Sequence, residues 1–213
     1  MIRRSTSFLL LALLLAPAAF SQELKPIQLP KPRTEGGKSL LEALENRKTT
    51  RDFSPEGLSP QTLSDLLWAA DGINRPDGRR TAPSAMNRQE IDIYVTLREG
   101  AYLYNAKAGT LDPVAAGDLR AATGGQDFVA GVPLNLVYVA DFVRMGGGSE
   151  QEKVFYSAAD TGFIAQNVYL YCAAEGLGTV IRGTVDRAAL ARLFKLRPEQ
   201  RVLLAQSVGY PKK

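Results

Sequence analysis

The chain has 213 residues and a formal charge of +4, with 26 Lys and Arg against 22 Asp and Glu. This excess is too small to indicate nucleic-acid binding, and no basic run alternates with aromatic residues. Histidine is absent and Cys172 is the single cysteine. These counts exclude Ser-His-Asp and Cys-His nucleophiles, an internal disulfide and most zinc and haem sites, so we predict no metal site. An enzyme of this composition must rely on a bound cofactor, carboxylates or lysines.

The first 21 residues have the pattern of an export signal. Arg3 and Arg4 precede an apolar run of 13 residues from Phe8 to Phe20, and small residues stand at −3 and −1 before Gln22. A run this short falls below the about 20 residues that span a bilayer. We therefore predict a cleaved signal peptide over 1–21 and no stable membrane anchor, with an uncleaved anchor as the alternative. The mature protein would be exported, periplasmic or secreted, by the general or the twin-arginine pathway.

The rest of the chain divides into a short leader and one domain. Residues 22–38 contain three prolines and two glycines without a core pattern, which predicts an extended leader. Residues 39–213 are long enough for one domain with a sizeable core.

Apolar spacing predicts the elements of this domain in chain order. Capping residues and helical periodicity predict helices over 39–47, from Pro60 to Gly72, over 151–175, and after Asp186. Alternating or continuous apolar runs predict strands over 91–97, 101–104, 132–140 and 202–208. Interleaved helices and strands with one hairpin indicate an α+β fold with a mixed central β-sheet flanked by helices.

A basic segment follows the first predicted helix. Arg47, Lys48, Thr49 and Arg51 lead into Phe53. Arginine can pair two phosphate oxygens, and a threonine hydroxyl adds a directional hydrogen bond. The alternative from charge alone is a solvated basic helix end that the helix dipole favours.

This segment and the stretch Pro83-Ser84-Ala85-Met86-Asn87 together resemble the nitroreductase family of flavin mononucleotide (FMN) enzymes. The resemblance implies that Arg47 and Thr49, with Lys48 beside them, hold the phosphate and ribityl chain. It further implies that Arg51 approaches the N1/O2 edge of the flavin, where a fixed cation stabilises the anionic reduced ring. The residues Pro83, Ser84 and Asn87 would reach the flavin from the partner subunit of a homodimer. An ordinary polar turn is the alternative for this second stretch.

Later parts of the chain extend the resemblance. The segment from Asp160 to Asn167, with the glycines after Glu175, resembles the long interface helix of the family and its exit. The resemblance then implies that Ile181 and Gly183 lie along one flavin face, where backbone amides could donate to N5. Gln126 would contact the pyrimidine edge, and Lys213 (or Lys212) would serve in place of a later phosphate-binding cation of the family. No catalytic residue is assigned.

The hairpin over 94–105, followed by Leu111-Asp112-Pro113, resembles the SagB-type dehydrogenase branch. We therefore expect a nitroreductase-like homodimer with FMN at the interface. The expected reaction transfers hydride through flavin N5 from an unknown electron donor to a flat small-molecule acceptor such as a nitroaromatic or a quinone, or desaturates a substrate. The alternative is an exported flavin-binding or interaction domain of the same fold without turnover.

Overall fold

The computed structural model describes residues 23–213, so the predicted signal peptide lies outside the described residues. Over this range the chain forms one sheet of seven strands with four α-helices. The strands in chain order are β1 Ile27–Gln28, β2 Ile91–Thr96, β3 Gly100–Asn105, β4 Thr110–Ala116, β5 Leu134–Asp141, β6 Gly178–Arg182 and β7 Gln200–Gly209. In the sheet they lie in the order β1-β4-β3-β2-β5-β7-β6. The helices are α1 Leu40–Asn46, α2 Pro60–Asp71, α3 Glu150–Glu175 and α4 Arg187–Leu193. The predicted α+β class, with one central sheet flanked by helices, is confirmed.

The direction of the strands differs from the prediction of a mixed sheet. Every strand pair in the described residues is antiparallel. The connection from β5 through α3 to β6 does produce two strands of the same direction, as interleaved elements predict. However, β7 lies between these two strands and pairs with both, so no parallel ladder forms.

Local capping explains why the predicted helices begin and end where they do. Ser39 accepts a hydrogen bond from the amide of Glu42 at 3.2 Å, and the Glu42 carboxylate accepts one from the Ser39 amide at 2.8 Å. The long helix α3 begins with the same reciprocal arrangement and ends at Gly176, whose φ of 72° favours glycine. The predicted helix bounds are therefore confirmed to within one or two residues.

The core lies on both faces of the central strand β5. All eight residues of β5 are buried, which accounts for the nearly continuous apolar run that predicted it. One face packs against α2 and α3, and the other packs against α4. Cys172 is buried among the apolar residues of α3, as its surroundings indicate.

Two strands and part of the leader escaped the sequence patterns. The strand β4 contains Pro113 and β6 has only five residues, so neither gives a clear period. The leader is extended, but its short strand β1 pairs with β4 and Leu29 is buried in the core. Within residues 23–213, no helix has both the length and the apolar character that crossing a membrane requires.

Candidate functional site

A tyrosine of α3 connects the basic segment to the edge strand β6. The hydroxyl of Tyr169 lies 3.2 Å from Oγ1 of Thr49 and accepts a hydrogen bond from the amide of Ile181 at 3.1 Å. The amide of Thr50 donates to the carbonyl of Thr179 at 3.0 Å. These contacts bring together the predicted site residues Thr49 and Ile181, which are far apart in the sequence.

The predicted cations surround this contact without acidic partners. The guanidinium of Arg47 lies 5.4 Å from the centre of the Tyr169 ring, a cation–π distance. Lys48 and Arg51 are exposed, and no salt bridge within the described residues includes either of them or Arg47. The positive charge is therefore free to bind an anion such as a phosphate.

The end of the chain lies along the same segment. The amide of Ser54 donates to the carbonyl of Tyr210 at 2.8 Å, and the amide of Lys212 donates to the carbonyl of Asp52 at 3.1 Å. Lys213 follows directly and is exposed. The end of the chain therefore lies next to the basic segment, and the role of Lys213 as a phosphate ligand stays a prediction.

Gln126 lies on a loop that an aromatic contact fixes to the basic segment. It precedes the short 3-10 helix Asp127–Ala130, and its side chain is exposed. The ring of Phe128 packs 5.9 Å from the ring of Phe53. This contact brings the Gln126 loop beside the residues that follow Arg51.

The stretch Pro83–Asn87 belongs to a strained loop that is anchored on α3. The amide of Ala85 donates to the carboxylate of Asp160 at 2.9 Å, and the amide of Gln89 donates to Oγ of Ser84 at 2.9 Å. Three non-glycine residues of this loop have φ near +50°: Met86, Asn87 and Gln89. Such strain is costly and clusters at functional sites.

The strained loop lies over a group of buried acids. Glu90 is fully buried, neither of its carboxyl oxygens has a hydrogen-bond partner, and Asp160 is 2% exposed. Burial raises the pKa of Glu90, and the nearby Asp160 carboxylate raises it further. Beside them a cavity of about 10 Å³ lies among Ser84, Asp160 and Asp71, which is space for one water molecule. This burial favours the protonated form of the Glu90 carboxyl group beneath the loop.

The two predicted half-sites stay apart within one chain. The strained loop is attached at Asp160, and the basic segment is attached at Tyr169. Nine residues of helix separate these anchors by about 14 Å along the axis. The contacts within one chain therefore attach the strained loop and the basic segment to different parts of α3.

Apolar side chains on α1 and α3 face solvent. Leu41 is 77% exposed and Phe155 is 68% exposed. The other large apolar residues of these two helices with substantial exposure are Leu40, Leu44, Val154, Tyr156 and Phe163. An exposed apolar surface of this kind indicates a protein–protein contact.

Two residues at this site carried no signal in the sequence. Tyr169 stands among apolar residues in α3, where an aromatic side chain fits an ordinary core pattern. Arg182 is 4% exposed on β6, between the predicted residues Ile181 and Gly183. The amide of Ile181 is already bound to Tyr169, whereas Gly183 is exposed.

A separate groove of about 610 Å³ runs between the leader and the turn after β2. Apolar residues form most of its wall, with Arg98, Glu99 and Arg120 among the polar ones. None of the predicted site residues lines this groove. It is therefore distinct from the candidate site.

Comparisons with known proteins agree with this geometry. A sequence model described as the nitroreductase family matches residues 44–210. A protein of Methanocaldococcus jannaschii, described as a candidate nitroreductase, is 30% identical over 180 residues, 80% of this chain and 90% of that protein.

Solved structures extend the comparison to the fold. The crystal structure of a candidate nitroreductase from Ralstonia eutropha is 42% identical, with a TM-score of 0.84 over 89% of this chain and 91% of that one. A chain of the Escherichia coli microcin synthetase McbBCD complex is 20% identical and shares the fold, with a TM-score of 0.67 over 97% of this chain and 85% of that chain.

Proposed function

Because the chain belongs to the nitroreductase family, we propose that it is an FMN-dependent oxidoreductase that acts as a homodimer. The bound flavin supplies hydride transfer at N5 between an electron donor and a flat acceptor such as a nitroaromatic or a quinone, or desaturates a substrate. Arg47, Lys48, Thr49 and Lys213 would hold the phosphate and ribityl chain, and Arg51 and Gln126 would contact the ring.

The Tyr169 hydroxyl, which contacts both Oγ1 of Thr49 and the amide of Ile181, is the observation that carries this proposal. It places a hydroxyl and the unpaired cation Arg47 beside the strand that would line the flavin. A phosphate needs such donors and cations, and nearby carboxylates would repel it. The residues present therefore fit FMN.

The separation of the half-sites supports a shared site in the homodimer. The strained loop of one subunit, with Pro83, Ser84 and Asn87, would complete the site at Arg47 of its partner. The exposed apolar residues of α1 and α3, such as Leu41 and Phe155, fit the buried surface of such a dimer. A mass measurement in solution tests this proposal, because a monomer with full FMN occupancy would refute the shared site.

The exchange Arg47→Ala tests the phosphate assignment. The variant should fold with an unchanged circular dichroism spectrum and lose most of its FMN, since a charge-assisted hydrogen bond to phosphate is lost. Arg79→Ala serves as control, because Arg79 is 55% exposed and paired with Asp77. Equal FMN content in Arg47→Ala, Arg79→Ala and wild type would contradict the assignment.

Turnover separates an enzyme from a flavin-binding protein of the same fold. We expect the bound FMN to be bleached by a reduced nicotinamide or another two-electron donor and to recover when a quinone is added. A protein that keeps FMN but is reduced by no donor would support the binding protein instead.

Two finer assignments belong to the same proposal. The hairpin of β2 and β3, with the adjacent β4, supports membership in the SagB-type dehydrogenase branch. The composition of residues 1–21 supports export to the periplasm or the exterior. Expression of the full chain tests the second assignment, because a mature protein should begin at Gln22.

A further inference from the structure

Arg182 of β6 is a buried cation outside the set of predicted site residues. Its side chain points into the sheet face that the Gln126 loop covers. Nη1 donates to the carbonyl of Thr123 at 2.7 Å, and Nη2 donates to Oδ1 of Asn135 at 3.0 Å. Arg182 thus connects the edge strand, the central strand β5 and the loop before Gln126.

No carboxylate compensates this charge within the described residues. Its hydrogen-bond acceptors are a carbonyl, an amide and a hydroxyl, and its Nε has no partner. Burial lowers the pKa of Arg182 to about 10, so the group stays charged at neutral pH. A buried charge without a counter-ion is unfavourable, and this cost calls for a compensating anion.

Neutral polar groups form a pocket around the guanidinium group of Arg182. Ser207 donates its hydroxyl to Oδ1 of Asn135, and Asn135 donates Nδ2 to the carbonyl of Val129 at 3.2 Å. A side chain at Gly124 would overlap Nη1 of Arg182, so a larger residue there would displace the guanidinium group. This pocket therefore holds the Arg182 guanidinium in one position without neutralising its charge.

We propose that Arg182 is a positioning residue that supplies a fixed positive charge beneath the flavin and favours the reduced, negatively charged form of the ring. This inference rests on the proposed FMN function. Ile181 and Gly183, the proposed lining of the flavin, stand on either side of Arg182, and the Arg182 guanidinium binds the carbonyl of Thr123 in the loop that leads to Gln126, the proposed contact of the ring. Because Arg182 is shielded from water, its charge is only weakly screened.

The exchange Asn135→Asp tests the charge while keeping the guanidinium. The two side chains have nearly the same shape, so an ionised carboxylate would lie beside Arg182 and compensate it. Arg182→Gln removes the charge directly, and Arg182→Lys keeps it. Ser207→Ala is the matched control, because it disturbs the same pocket without changing any charge.

The measurement is the reduction potential of bound FMN, together with the affinity of the apoprotein for oxidised FMN. We expect Asn135→Asp and Arg182→Gln to lower the preference for reduced over oxidised FMN by roughly tenfold or more. For a two-electron couple, tenfold corresponds to about 30 mV. Arg182→Lys and Ser207→Ala should stay near the wild-type potential.

The possible outcomes separate this inference from the proposed function. A purely structural role of Arg182 predicts weaker binding of oxidised and reduced FMN and an unchanged reduction potential. That result in Asn135→Asp and Arg182→Gln would overturn this inference and leave the proposed function intact. Should either variant fail to bind FMN, the potential of the other decides. A wild-type protein that takes up no FMN would overturn the proposed function and this inference with it.

Discussion

Asp71 at the end of α2 should make the stability of the fold depend on pH. Its carboxyl group is nearly buried, and Nη1 of Arg80 lies 3.7 Å from Oδ2 and donates to the Asp71 carbonyl at 2.8 Å. Burial raises the pKa of Asp71 to about 7, and the Arg80 cation only partly offsets this. The folded protein therefore binds a proton that the unfolded chain has already released.

The size of the effect follows from the difference between the two states. The ordinary pKa of the carboxyl group is 3.8 and the folded value is about 7. Each pH unit of difference corresponds to about 1.4 kcal/mol, so roughly 4 kcal/mol of stability is lost as pH rises from 4 to 8. The sign is clear, because stability falls with pH wherever the folded state binds more protons.

The exchange Asp71→Asn removes this titration. Its advantage in unfolding free energy over wild type should grow by roughly 4 kcal/mol between pH 4 and pH 8, because the pKa of about 7 already includes the attraction of Arg80. Urea unfolding at both pH values measures the difference, and Asp77→Asn, an exposed carboxylate, is the control. If Asp71→Asn and Asp77→Asn track wild type equally at both pH values, the reasoning fails.

Two further exchanges test the contacts around the site. Tyr169→Phe leaves the amide of Ile181 without its hydrogen-bond acceptor. Urea unfolding should therefore show a loss of about 1 kcal/mol in the free energy of unfolding, and FMN titration should show weaker binding. An unchanged free energy of unfolding together with unchanged FMN affinity would refute this contact. Gly124→Ala displaces the Arg182 guanidinium from its pocket and should lower the free energy of unfolding by about 1–3 kcal/mol in thermal unfolding. Gly125→Ala is the control, because open space surrounds Gly125, and it should behave as wild type.

Much of the fold could be predicted because local rules and tertiary packing agree. Ser39, Ser59 and Asp186 each cap a helix with a side-chain oxygen, and such caps are visible in the sequence. The long helix α3 could be bounded for the same reason, since Gly176 ends it in the left-handed conformation. Element type and position therefore followed from patterns a few residues long.

The sheet direction could not be predicted because it depends on distant pairing. The strand β7 pairs with β5 and β6 across long stretches of sequence, and no local pattern records that choice. The strand β4 was missed because Asp112 and Pro113 interrupt its apolar period. At the site, Tyr169 joins Thr49 to Ile181, whereas the loop over Pro83–Asn87 is anchored elsewhere on α3. Tyr169 and Arg182 could be recognised only from their contacts.

The departures from ordinary folding rules concentrate around α3 and β6. Met86 and Asn87 have positive φ angles, Glu90 is buried without a partner, and Arg182 is buried without a counter-ion. In the uniformly buried β5, by contrast, pattern and packing agree. Rules broken together in one region indicate functional constraint there, since a sequence under selection for stability alone would remove them. The same region carries the unpaired cation Arg47 and the exposed apolar residues, so the incomplete parts of the monomer are the parts that a partner subunit and an anionic cofactor would complete.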